Sequence, residues 1–125
     1  MQYHDYHLRG YSVSDFGNTI TLDLVFDYPN HSKRESVIKF ADVAAYEFVQ
    51  TGGAIITDIC QTKLSEISKE LDEDLVGWAR KFGGLINYDG DLESCKEKLE
   101  KDGYKAWTIF SAIGFSGLVI AKDVK

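Results

Sequence analysis

The feature that most constrains the fold is the alternation from Ile20 to Tyr28. Ile20, Leu22, Leu24, Phe26 and Tyr28 fall on one side, and Thr21, Asp23 and Asp27 on the other. Successive side chains of a strand point to opposite faces, so this period of two predicts a half-buried antiparallel strand with one face on a core and one in water. Upstream, Tyr6 and Leu8 share one phase while Tyr11 and Val13 share the other, so the register slips near Gly10 as at a β-bulge. Ser14-Asp15-Phe16-Gly17-Asn18 supplies small and polar residues suited to positive φ and predicts a hairpin joining the first two strands. A polar turn, Pro29 to Arg34, leads to a third strand at Val37-Ile38-Lys39-Phe40. Asp42 to Val49 is read as a turn followed by a strand, Thr51-Gly52-Gly53 as a break, and Ala54 to Ile59 as a well-covered strand.

A second period then takes over. Leu64, Ile67, Leu71, Leu75, Trp78 and Phe82 recur at steps of three or four and form the apolar stripe of an amphipathic helix, with Thr62 placed to cap its start and Gly83-Gly84 to end it. Leu85 to Tyr88 reads as a short strand or an extended link. Asp91 is placed to cap a second helix carrying Leu92, Cys95 and Leu99, which Gly103 would stop with Tyr104 against Leu99. The tail reads as a hairpin: Trp107, Ile109 and Phe110 in one strand, Gly114-Phe115-Ser116-Gly117 as the turn, and Leu118 to Ala121 as the return. The expected fold is α+β over residues 1–125 as a single domain, with a mainly antiparallel sheet of five to six strands and two amphipathic helices.

Composition narrows the function classes. The formal charge of −6 opposes non-specific attraction to phosphate backbones, so nucleic acid is not an expected partner. No apolar run nears the ~18 residues that span a bilayer, and the first residues lack the form of a secretory signal, so a cytoplasmic location without membrane contact is expected. Cys60 and Cys95 are far apart with no C-x-x-C spacing, which predicts two reduced thiols rather than a disulfide or zinc site. His4 and His7, three apart on a strand, point to opposite faces and make a poor metal pair. Gly114-Phe115-Ser116-Gly117-Leu118 departs from the G-x-S-x-G elbow at its last position, and no histidine follows it. No cofactor signature is present and no residue is assigned a catalytic role.

Two acidic groups remain. Asp23, Asp27, Asp42 and Asp58 would serve as acid/base groups or cation ligands if they met on one sheet face, with Arg9 or Lys39 as alternative ion-pair partners. Glu70, Asp72, Glu73 and Asp74 place four acids in five residues and are the candidate partner-binding residues, since complementary charge speeds encounter with a basic protein. Tyr46, Tyr88 and Tyr104 would add anchors where exposed.

The acidic chain of 125 residues, the meander closing in Ala54-Ile55-Ile56-Thr57-Asp58-Ile59, and the late Trp107-Thr108-Ile109-Phe110 segment together resemble the small immunity proteins that protect bacteria from polymorphic or contact-dependent toxins. The resemblance spans the layout of the chain and carries over no individual residue. It implies a stoichiometric cytosolic inhibitor that covers the active site or substrate groove of a basic toxin domain. Two alternatives stand beside it: a homo-oligomeric assembly domain pairing through a strand edge, with a homodimer as its sign, and a small enzyme or ligand-binding domain using the strand carboxylates.

Overall fold

The computed structural model describes residues 3–66 and 91–124. Six strands, β1 (His7–Ser14), β2 (Thr19–Phe26), β3 (Arg34–Ala41), β4 (Ala45–Thr62), β5 (Lys105–Ala121) and β6 (Asp123–Val124), form one sheet in the order β5-β4-β1-β2-β3-β6. Every pair in it is antiparallel. Among the described residues there is one α-helix, α1 (Leu92–Lys101).

The order of strands forces the sheet to curl. Laid flat, the four spacings from β5 to β3 would cover about 19 Å. Yet β6 follows β5 after one bend residue, Lys122, and pairs with β3 through Phe40–Val124 and Ala41–Asp123. A link that short spans about 7 Å, so the ends of β3 and β5 must come together. The Lys122 amide donates to the Ala41 carbonyl at 3.2 Å, and the Phe40 and Trp107 rings meet at 5.6 Å across the interior.

The alternation of β2 becomes the inner face of this curl: Ile20, Leu22 and Leu24 are fully buried and packed with Leu8, Ile38, Phe40, Ile56 and Trp107. The opposite face of β5 is buried as well, because Ala106, Leu118 and Ile120 pack with Leu64 and with Cys95 and Leu99 of α1. Leu118 to Ala121 is therefore covered on both faces, which accounts for an unbroken apolar run where a half-buried strand would alternate. Each large side chain so buried contributes about 1.5–3 kcal/mol.

Helix α1 matches its sequence signals. The Asp91 carboxylate accepts from the Glu93 amide at 3.1 Å, a cap worth about 1 kcal/mol. At the other end the Tyr104 amide donates to the Leu99 carbonyl and the Gly103 amide to that of Glu100, with Gly103 at φ +92°, the paired bonds of a Schellman stop.

The expected longer helix, with its stripe from Ile67 to Phe82, lies outside the described residues, as do Gly83-Gly84 and Leu85 to Tyr88; Leu64–Glu66, where that stripe begins, is a 3-10 turn. Three other expectations change. Thr62, expected to cap that helix, is the last residue of β4 and pairs with Ala106. The break at Thr51-Gly52-Gly53 and the tail hairpin are both absent: β4 and β5 are long continuous strands, paired from Ala45–Ile120 to Thr62–Ala106. The glycines in these strands serve a different purpose from turning. The pairing shifts register between Gln50 and Ile55, and there Gly114, at φ +82°, lies so close to Gly53 that a Cβ on it would sit 1.7 Å from the Gly53 carbonyl oxygen. Gly117 leaves room for the rings of Phe48 and Phe115.

Candidate protein-binding surface

The β1–β2 hairpin presents an aromatic ring to solvent. Asp15, Phe16 and Gly17 have φ of +54°, +59° and +89°, three consecutive residues in the left-handed region. That region costs an L-residue with a side chain about 1–2 kcal/mol, and for a bulky one it is a marked outlier. The tip is pinned by its neighbours: the Thr19 hydroxyl donates to the Asp15 carboxylate at 2.9 Å and the Asn18 amide to the Asp15 carbonyl at 3.1 Å. The Phe16 ring is fully exposed. An exposed hairpin aromatic held in a strained conformation brings no burial to the fold, and such outliers concentrate where proteins engage ligands or partners.

Acidic residues lie at the same corner of the sheet as this ring. Thr19 opposes Ala41, which opposes Asp123, and the Val43 amide donates to the Asn18 carbonyl at 3.0 Å, so the β3–β4 turn containing Asp42 abuts the hairpin. Asp15, Asp42 and Asp123 thereby share one corner of the molecule with Phe16. The nearby Lys122 ammonium lies over the Tyr104 ring, 5.1 Å from its centroid.

No family model, no curated protein and no solved structure matches this chain.

The residues singled out from sequence are distributed as follows. Glu70, Asp72, Glu73, Asp74 and Tyr88 lie outside the described residues. Asp23, Asp27, Asp42 and Asp58 do not share a site. Asp23 is on the outer face of β2, Asp27 lies beyond the end of that strand, Asp42 is in the turn after β3, and Asp58 is on β4 opposite Phe110. Tyr46 packs half-buried on Phe48, with ring centroids 5.3 Å apart. His4, exposed, lies with Nδ1 3.1 Å from the Thr57 carbonyl, and His7 stacks near Tyr28 at 5.3 Å. Among the described residues no group of three His, Cys, Asp or Glu side chains is arranged to hold a metal. Ser116 lies within β5, paired with Val49, rather than at a strand-to-helix elbow.

Two of these acids have identifiable partners. Because Leu8 pairs with Leu24 and Gly10 with Asp23, Arg9 is the extra residue of the bulge, and its guanidinium reaches Asp23 through two bonds of 2.8 and 2.9 Å and Glu35 through one of 3.2 Å. Hydrogen bonds from Arg9, followed by its charge, hold the Glu35 carboxyl below its usual pKa; for Asp23 the same hydrogen bonds lead and outweigh desolvation. On β4 the Cys60 thiol donates to Asp58 at 3.1 Å and the Ile59 amide at 2.8 Å. These bonds lower the Asp58 pKa, and the thiol in turn is raised, first by its bond to Asp58 and then by burial. A thiol kept protonated is the reverse of what a nucleophilic cysteine requires.

The Arg9 cluster makes a pH prediction. Carboxylates with depressed folded-state pKa values contribute stability that is complete above their unfolded values, about 4, and that is lost as pH falls through the folded ones. The melting-temperature difference between the native protein and Arg9→Met is therefore expected to be constant near neutrality and to shrink below pH ~4. A difference that stays the same from pH 7 to 2.5 would show that these ion pairs contribute nothing. High salt should reduce it, because the pairs are exposed.

Proposed function

We propose that this protein is a cytosolic protein-binding domain of the immunity type, a stoichiometric inhibitor that docks on a basic toxin domain. The observation that carries this reading is the fully exposed Phe16 at a strained hairpin tip, at a corner of the sheet that also carries Asp15, Asp42 and Asp123. A ring of this size gains about 2–3 kcal/mol when buried in a partner pocket, and the acidic residues at the same corner, within a chain of formal charge −6, favour a cationic rim around that pocket. Glu70, Asp72, Glu73 and Asp74 extend the same electrostatic preference on sequence grounds. Among the described residues no helix is long and apolar enough to cross a membrane.

The competing readings receive less support. The strand carboxylates, on which the small-enzyme reading rests, form no common centre among the described residues. Self-assembly would use a sheet edge: that of β5, the terminal strand paired only with β4 among the described residues, or that of β3, where β6 covers only Phe40 and Ala41. The β3 edge carries Arg34, Glu35 and Lys39, charges that discourage strand addition there.

The test is association with a basic partner isolated at low salt. The account expects one-to-one stoichiometry, an association rate that falls steeply with ionic strength, and slower association when Glu70, Asp72, Glu73 and Asp74 are all changed to lysine. A rate independent of both salt and this reversal would remove electrostatic recognition of a basic protein.

A further inference from the structure

At the end of the sheet opposite the Phe16 hairpin, the inner face finishes in aromatic rings instead of aliphatic side chains. Tyr6 lies two residues before Leu8 and Phe26 two after Leu24, so both extend the core-facing rows of β1 and β2 to the rim. Tyr3 meets Tyr6 edge-on at 5.3 Å, Tyr6 meets Phe26 at 5.5 Å, and Phe26 meets Tyr28 at 4.8 Å. The four rings form one continuous, half-buried wall. Two hydroxyls hold it in place: Tyr28 donates to the Asp5 carbonyl at 2.7 Å, and the Tyr3 oxygen accepts from Ser36 at 3.4 Å.

A cation already occupies this wall. Arg34, the first residue of β3, is the cross-strand partner of Phe26, and its guanidinium carbon lies 4.3 Å from the Phe26 centroid and 5.9 Å from that of Tyr6. Asp27 and Glu35 adjoin the pair in sequence, yet among the described residues no carboxylate lies within ion-pairing distance of Arg34. Its position is explained by the ring faces, whose negative quadrupole attracts a planar cation. Arg34 is itself exposed, so its head group can leave the wall for water without opening the core.

We propose that this aromatic rim is a guanidinium-binding site, occupied by Arg34 and open to the arginine side chain of a ligand when Arg34 swings away. The side chain of Arg34 competes with that ligand as a tethered cation, and removing it leaves a preorganised wall with no occupant. This inference is independent of the Phe16 surface, since the two lie at opposite ends of the sheet.

The probe is N-acetyl-arginine methylamide, with the neutral isostere N-acetyl-citrulline methylamide as control, followed by NMR shifts of the tyrosine and phenylalanine ring protons. Arg34→Gln is expected to bind the arginine probe about tenfold more tightly than the native protein, as for loss of one competing cation–π contact. Arg34→Lys, which keeps a tethered cation, should stay near the native affinity, and citrulline should bind neither. A tetra-arginine peptide binding more tightly than four times the single residue would identify the ligand as a basic polypeptide; equal affinity per side chain would identify free arginine-like molecules. No binding of the arginine probe to Arg34→Gln, or equal binding of citrulline, overturns the proposal.

Discussion

Replacing Gly114 by alanine is expected to cost about 3 kcal/mol or more, the sum of forcing a side chain into the left-handed region and of overpacking against rigid backbone. The added Cβ would lie 1.7 Å from the Gly53 carbonyl oxygen and 2.9 Å from its carbon, and Gly114 has φ +82°. Neither problem has a flexible side chain to relieve it, so β4 and β5 must separate where their register shifts. For a chain of this size the loss corresponds to a fall in melting temperature on the order of 10 °C. Gly52→Ala is the control, because a Cβ there meets nothing within 4 Å and its φ is not positive; its melting temperature should move by no more than a couple of degrees, about 0.5 kcal/mol. Thermal unfolding of the two variants side by side checks the claim. Equal, small effects would mean that the two glycines are not pressed together as described.

The same glycines show where sequence reasoning stopped short. The alternation of Ile20, Leu22 and Leu24, the slip at Gly10, the Asp91 cap and the Gly103 stop were legible because each is decided within a few residues by side-chain phase or local hydrogen bonding. Gly114-Phe115-Ser116-Gly117 carries the composition of a turn, but the residue that makes Gly114 necessary is Gly53, on another strand, and nothing local announces that contact. Likewise the run Leu118 to Ala121 looks like one short return strand until α1 is seen to cover its second face. Arg9 beside Asp23 could be read as a possible pair, although the bulge that aims it there is what makes it bidentate. Phe16 carries no such local mark, because its neighbours are good turn residues. The available signal was the misfit itself, an aromatic in a loop that offered it nothing to pack against.

That misfit gives the second large effect. If the ring fills a pocket on the partner, Phe16→Ala should weaken the complex by about 2–4 kcal/mol, a 30- to 1000-fold rise in Kd. Stability should not fall with it, since the ring is fully exposed in the free protein. Phe16→Gly separates the two properties further. Glycine adopts φ near +59° without strain, so this variant should be as stable as the native protein or more so, by up to about 1 kcal/mol. A residue kept for folding would show the opposite sign.

The decisive measurement pairs thermal unfolding of Phe16→Gly with its titration against the basic partner isolated at low salt. The account predicts a melting temperature equal to or a few degrees above the native one, together with at least a 30-fold loss of affinity. Native affinity in a stable Phe16→Gly variant would contradict it, because the hairpin tip would then be neither the anchor of the complex nor the reason the strain is kept.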